Sequence, residues 1–206
     1  MRGYLLGLLF GIFLAALASG GEPVKTAVVK GTITIGGKPT SDVVVSVEGL
    51  PQEKPETRNS KLKNSKAVMD QREMKFIPRV LAIQVGTTVE FPNHDKTFHN
   101  VFSTSEAKKF DLGLYPPGKS RSVAFDQPGV ARILCNVHPD MEAYVVVEAH
   151  PYFSAADQRG NYQLDGVPLG KYRLEVWHPE LGTRTVSLSL VREGQVLAVD
   201  VDLKKR

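Results

Sequence analysis

The stretch ARILCNVHPDMEAYVVV, Ala131–Val147, decides how this chain reads. Two apolar, β-branched runs of strand character flank a short polar loop. The loop opens on Cys135, the only cysteine of the 206 residues. A histidine follows three positions on, and a methionine three after that. Thiol, imidazole and thioether thus stand in step between two strands.

The surroundings sharpen the question of why a lone thiol sits there. The chain begins with a positive Met1-Arg2. Next comes the apolar run YLLGLLFGIFLAALA, Tyr4–Ala18, which ends in the small-x-small sequence Ala16-Leu17-Ala18. The run is short for a membrane span and has the form of a cleaved signal peptide over residues 1–18, with an uncleaved membrane anchor as the competing reading. A periplasmic or otherwise exported protein is expected, with no membrane span in its mature form. Exported proteins commonly use cysteines in pairs. Cys135 has no partner in the chain, so it is buried, bonded to a metal or paired with another chain.

Cys135, His138 and Met141 on one tight loop can reach a common metal ion. A thiolate, two imidazoles and a long, weak thioether bond make the ligand set of a blue-copper electron-transfer site. The second imidazole must come from elsewhere, and His99 in FPNHDKTFHNVFS (Phe91–Ser103) stands where a strand begins. Thiolate favours Cu(I), imidazole serves both oxidation states and the axial thioether tunes the potential. Taken singly, each residue also has a plain structural reading: Cys135 as a small buried hydrophobe, His138 as a turn residue before Pro139, Met141 as core. His94 is either a solvated loop residue or an alternate ligand. Asp95 and Lys96 belong to the turn. His150 and His178, each before a proline, read as structural or surface residues, or together as a weak second metal site.

The rest of the chain is almost all β. Hydrophobic residues make up 42% of it, enough for a real core. Strands are expected at Thr26–Ile35, Val43–Glu48, Met74–Ile77, Val80–Val85, Thr88–Phe91, Asn100–Phe102, Ser120–Phe125, Gly129–Leu134, Tyr144–Glu148, Asn161–Leu164, Lys171–Trp177, Thr183–Leu190 and Gln195–Val201. The one helical expectation is a turn or two near Lys61–Met69. Residues 51–66, PQEKPETRNSKLKNSK, read as a polar linker in which Arg58, Lys61, Lys63 and Lys66 cluster. That cluster is a solvated loop or a docking patch for an acidic partner. Nucleic acid is not expected, because no stacking aromatics are interleaved with the cations. The formal net charge of +4 also suits an acidic partner.

From Ala67 to Glu148 the chain resembles the cupredoxins, above all plastocyanin, pseudoazurin and amicyanin. The family's opening motif matches Val85, Gly86, Val89, Phe91 and Asn93. Its His-Asn-Val matches His99, Asn100 and Val101, and its Pro-Gly-x-Ser/Thr turn matches Pro117, Gly118 and Ser120. Its cysteine loop matches Cys135, His138 and Met141. The resemblance implies an all-β, Greek-key cupredoxin sandwich over residues 67–149 with one type 1 copper site (Cu+/Cu2+). Its ligands would be His99, Cys135, His138 and Met141. It also implies that Asn100 ties the His99 loop to the cysteine loop. Two positions depart from the family, Ile133 where a tyrosine is common and Ala143 where a glycine is common.

The flanks VVKGTITIGGKPTSDVVVSVEGL (Val28–Leu50) and AADQRGNYQLDGVPLGKYRLEVWHPEL (Ala155–Leu181) resemble the two ends of a carboxypeptidase regulatory-like, transthyretin-like sandwich. The copper segment would then be inserted into that second small β-sandwich, split as residues 26–50 plus 150–206. Three consecutive β units are the simpler alternative. The combination also resembles methylamine-utilisation-type exported proteins. Ser154, His150 and Asp157 are too crowded and lack an oxyanion signal, so no catalytic triad is expected. Tyr152, Phe153 and Trp177 read as packing residues.

These readings converge on a one-electron carrier, not an enzyme. Its electron port would be the edge of His138, ringed by Pro139, Phe98, Tyr115 and Pro116. A redox partner, acidic in character, would dock there. A copper carrier or store, and a non-redox adhesion or scaffold sandwich, are the competing readings.

Overall fold

The computed structural model describes residues 24–51 and 65–204. The signal peptide expected over residues 1–18, most of the 51–66 linker and the Arg58, Lys61 and Lys63 cluster lie outside the described residues. Within them are nineteen strands and no helix, so the fold of the described residues is all-β. No helix there is long and apolar enough to cross a membrane. The helical expectation at Lys61–Met69 is corrected where it can be seen: Lys66–Val68 is a strand, paired in parallel with Thr88, Val89 and Glu90. The sheet edge offers those three residues backbone partners, which a single isolated helical turn lacks.

Two sheets enclose the cysteine loop. In the first, the strands run in the order Lys108–Tyr115, His99–Ser105, Gly129–Leu134, Glu142–Glu148 and Val80–Gln84. Gly129–Leu134 and Glu142–Glu148 pair antiparallel, from Gly129 opposite Val147 to Leu134 opposite Glu142, and the cysteine loop closes the hairpin. The second sheet sets Thr88–Pro92 between Ser120–Ala124 and Lys66–Val68. A separate two-stranded ribbon, Asp70–Arg72 with Lys75–Ile77, lies alongside. Alternate residues of these strands point inward, and Val89, Phe91, Phe125, Ile133 and Val145 are wholly buried between the sheets. Truncating Phe91 to alanine would cost about 3–5 kcal/mol through lost burial and the cavity left behind.

A second core draws on both ends of the chain. It contains Val29, Ile33 and Val45 from the first part, and Leu164, Leu174 and Leu188 from the last. The strand Thr26–Ile35 pairs antiparallel with Asn161–Pro168. It also pairs in parallel with two C-terminal strands, first Val196–Ala198 and then Val201–Leu203. The single strand expected at Gln195–Val201 is thus two. Where they hand over, a Cβ on Gly31 would lie 2.0 Å from the Val199 carbonyl oxygen, so only glycine fits the crossing. The facing sheet runs Phe153–Ala155, Val44–Glu48, Gly170–His178 and Gly182–Leu190.

The two cores meet across a small apolar seam of Val44, Val80 and Val146, with Tyr144 edge-on to Trp177 at 5.5 Å between ring centres. Beside it the Arg79 guanidinium reaches Asp42 at 2.9 Å and Glu180 at 3.1 Å. These carboxylates hold its charge more firmly than an isolated arginine's, Asp42 most.

Candidate metal centre

The cysteine loop is held from below by its hairpin and closed by one local bond, the Met141 N–H donating to the His138 carbonyl at 3.0 Å. That turn carries His138 back over Cys135. Across from it, His99 is the first residue of the strand His99–Ser105, and Tyr115 lies opposite it in the ladder. Strand pairing therefore fixes where the His99 ring stands.

The result is a convergence of three donor atoms. Cys135 Sγ lies 3.9 Å from His99 Nδ1 and 4.0 Å from His138 Nδ1, and the two Nδ1 atoms are 3.0 Å apart. The rings meet edge to face, 4.8 Å between centres. His99 is fully buried, Cys135 and Met141 are buried, and His138 is half-buried. His99, Cys135 and His138 are the group among the described residues arranged to hold a metal ion. Met141, on the same loop, packs in the same buried cluster as Cys135. One soft thiolate and two borderline imidazoles, with a thioether beside them, suit copper and leave hard oxygen-loving ions poorly served.

Asp95 orients His99. Its Oδ2 lies 3.0 Å from His99 Nε2, and the same oxygen accepts the Met74 N–H at 2.6 Å. Oδ1 accepts the Lys96 N–H at 2.9 Å. The Met74 N–H, with help from those of Lys96 and His99, holds the carboxyl below the usual aspartate range despite partial burial. An ionised carboxylate only accepts, so His99 Nε2 carries the proton and Nδ1 turns its lone pair to the centre. By sequence alone Asp95 is a turn residue. Its place four residues before His99 was the available signal.

Other residues divide between expectations that hold and two that are corrected, those for Asn100 and Tyr115. Of the two readings of His94, the structure has the solvated loop residue and not the alternate ligand: it is exposed, and its Nδ1 engages Asp70 at 2.8 Å. Asn100 does not tie the two loops through its side chain, because its amide donates to Asp111 at 2.7 Å on the neighbouring strand. Tyr115 is no part of an exposed ring around His138. It is buried, stacked under Arg121, with its hydroxyl between Gln71 Nε2 at 2.5 Å and the Phe91 carbonyl at 2.9 Å. Leu114, just before it in the strand, is exposed instead, as are Phe98, just before His99, and Val137, just before His138. His178 caps a turn by accepting the Glu180 and Leu181 N–H groups, and the His150 ring accepts that of Tyr152. Asp157 spends its carboxylate on the N–H groups of Arg159 and Asn161.

Residues 63–148 match the family described as copper binding proteins, plastocyanin/azurin family. No curated protein matches the chain. Among solved structures the chain is similar to a purple cupredoxin from Nitrosopumilus maritimus, at 26% identity over 40% of this chain and 99% of that one, with a TM-score of 0.37. It is similar to an amicyanin variant in its reduced state, at 30% identity over 39% and 80%, with a TM-score of 0.37. It is also similar to a copper-containing nitrite reductase from Thermus scotoductus SA-01, at 26% identity over 40% and 22%, with a TM-score of 0.39. By the family match and by the His-Cys-His group it brings together, the segment 63–148 is a copper-binding domain of the plastocyanin/azurin family, and copper is its cofactor.

Proposed function

We propose that the protein is an exported one-electron carrier with a single type 1 copper site, held by His99, Cys135, His138 and Met141. The convergence of Cys135 Sγ and two imidazole nitrogens, with His99 and Cys135 buried and His138 half-buried, carries this reading. When bound, copper supplies the one-electron change between Cu(I) and Cu(II). The protein's own part is to hold the donors still. His99 is fixed by a strand and by Asp95, and Cys135 and Met141 by the hairpin, so neither oxidation state finds a different geometry to relax into. Apolar packing around Cys135 keeps bulk water from the thiolate.

The half-buried edge of His138 is the port. Phe98 and Val137, the residues before His99 and His138, and Leu114, which pairs with Asn100, are each about half exposed and offer apolar surface suited to brief, reversible docking. A basic chain favours an acidic redox partner, with association weakened by salt. The two cores support a nested organisation, a copper domain inserted into a carboxypeptidase regulatory-like sandwich that serves as its mount. In this reading the protein carries electrons and catalyses nothing by itself.

The test is optical and electrochemical. Cu(II) added to the mature protein should give an intense thiolate-to-copper band that Cys135→Ser abolishes, and reversible voltammetry of the loaded protein should follow. A colourless protein ends the copper reading. Tight copper binding without a reversible wave makes it a carrier or store of the metal instead.

A further inference from the structure

The ribbon Asp70–Arg72 with Lys75–Ile77 contributes no donor to the centre, yet it is bound to the loop that does. Gln71 is fully buried within it. Its carbonyl accepts the His94 N–H at 3.0 Å, and its side-chain amide donates to the carbonyls of Phe91 and Pro92. The ribbon's turn is unusual: Glu73 and Met74 both have φ of +54°. Two consecutive left-handed residues match the tight hairpin turn usually built from asparagine and glycine, and side chains make it costly. Here the turn aims the Met74 N–H at Asp95 Oδ2, 2.6 Å away, on the oxygen that also faces His99 Nε2.

We propose that Asp95, clamped by the Met74 N–H of this turn, is a positioning residue for the metal centre. It fixes the protonated nitrogen of His99 and places a negative charge one hydrogen bond behind the ligand. The inference rests on the copper reading for its redox consequence, but its structural half does not. A carboxylate behind a ligating imidazole makes the imidazole a stronger donor, which favours the more highly charged metal state. Cu(II) therefore gains on Cu(I), and the reduction potential is held down. The carboxylate cannot drift, because a backbone N–H group holds each of its oxygens, Met74's on Oδ2 and Lys96's on Oδ1.

The main variant is Asp95→Asn, which keeps the size and one acceptor oxygen and removes the charge. Asp70→Asn is the control: the same charge lost from the ribbon, at a residue that reaches His94 and no donor of the site. Asp95→Asn should keep the thiolate band and lose about tenfold in Cu(II) affinity relative to Cu(I), a rise of about 59 mV. Asp70→Asn should change that ratio less than twofold. Equal shifts in the two variants would mean general charge alone, and would overturn the proposal.

The second measurement needs no copper. Nitrogen NMR of the metal-free protein at about pH 8 should show His99 protonated on Nε2 alone. In Asp95→Ala, and in a chain with one glycine inserted between Glu73 and Met74, both tautomers should appear. An unchanged His99 spectrum in both sinks the proposal. A protein that takes up no copper would sink the copper reading, while the tautomer result still decides what Asp95 does.

Discussion

The Nδ1 atoms of His99 and His138 lie 3.0 Å apart although the residues are separated by 39 positions in the chain. A strand delivers the first and a hairpin loop the second, and they differ in exposure. His99 is wholly buried behind the sheet, while His138 is half open to solvent. Replacing each by glycine should therefore have different consequences. In His138→Gly a small ligand can enter from solvent, so added imidazole should restore the copper band. In His99→Gly it should not, because the void is sealed from water. Titration with imidazole at fixed copper, followed in the visible, reads both. Rescue of His99→Gly alone would place the open face of the site on the wrong side.

Metal binding should also stabilise the fold. The donors come from the strand His99–Ser105 and from the loop between Gly129–Leu134 and Glu142–Glu148, and the unfolded chain does not preassemble them. Copper at about a hundredfold above its dissociation constant adds about 2.7 kcal/mol. For a chain of this size that raises the melting temperature by about 5–10 °C. Cys135→Ser should lose most of the gain while its copper-free melting temperature stays within about 2 °C, since serine is close in size.

Tyr115 is an internal strut, where the sequence suggested surface. Its hydroxyl donates to the Phe91 carbonyl and receives the Gln71 amide, and burial pushes its ionisation up to about 12. Tyr115→Phe leaves Gln71 without that acceptor inside the core and should cost about 2 kcal/mol. The variant should melt about 4–8 °C lower. In the wild-type protein no phenolate absorbance from Tyr115 should appear at pH 10.

The centre was legible because its parts are chemically rare. One cysteine with a histidine and a methionine at even spacing, in a chain of alternating strands, leaves few readings, and Gly129–Leu134 and Thr26–Ile35 fall on strand boundaries as expected. What escaped was relational. Lys108–Tyr115 opens on two lysines and contains Gly113 in a left-handed turn of backbone, and its pairing slips between Asp111 and Leu114, so no clean alternation marks it. Val196–Ala198 and Val201–Leu203 are strands only because Thr26–Ile35 accepts them both. Asp95 gained its role from Met74, whose left-handed backbone no composition rule foretells.

The seam between the two cores carries an acid–base consequence of its own. Glu148, at the end of a copper-domain strand, is pushed above the ordinary glutamate value by burial. The hydroxyl of Ser46 opposes this and the charge of Glu175 adds to it. Glu175 is raised as well, by its own burial and by Glu48, against Arg173. The sign follows. Below about pH 4.5, Glu148 is protonated in folded and unfolded chains alike, and its burial carries no charge penalty. As the pH rises through its higher folded value, the unfolded chain releases the proton more readily and stability is lost. Glu148→Gln is neutral at every pH and escapes that loss. At pH 8 the copper-free variant should melt above the wild type by about 2 °C, on the scale of 1 kcal/mol or less, and at pH 4 the two should coincide. A gap of the same size at both values would trace the difference to packing and leave the carboxyl no part in the pH dependence.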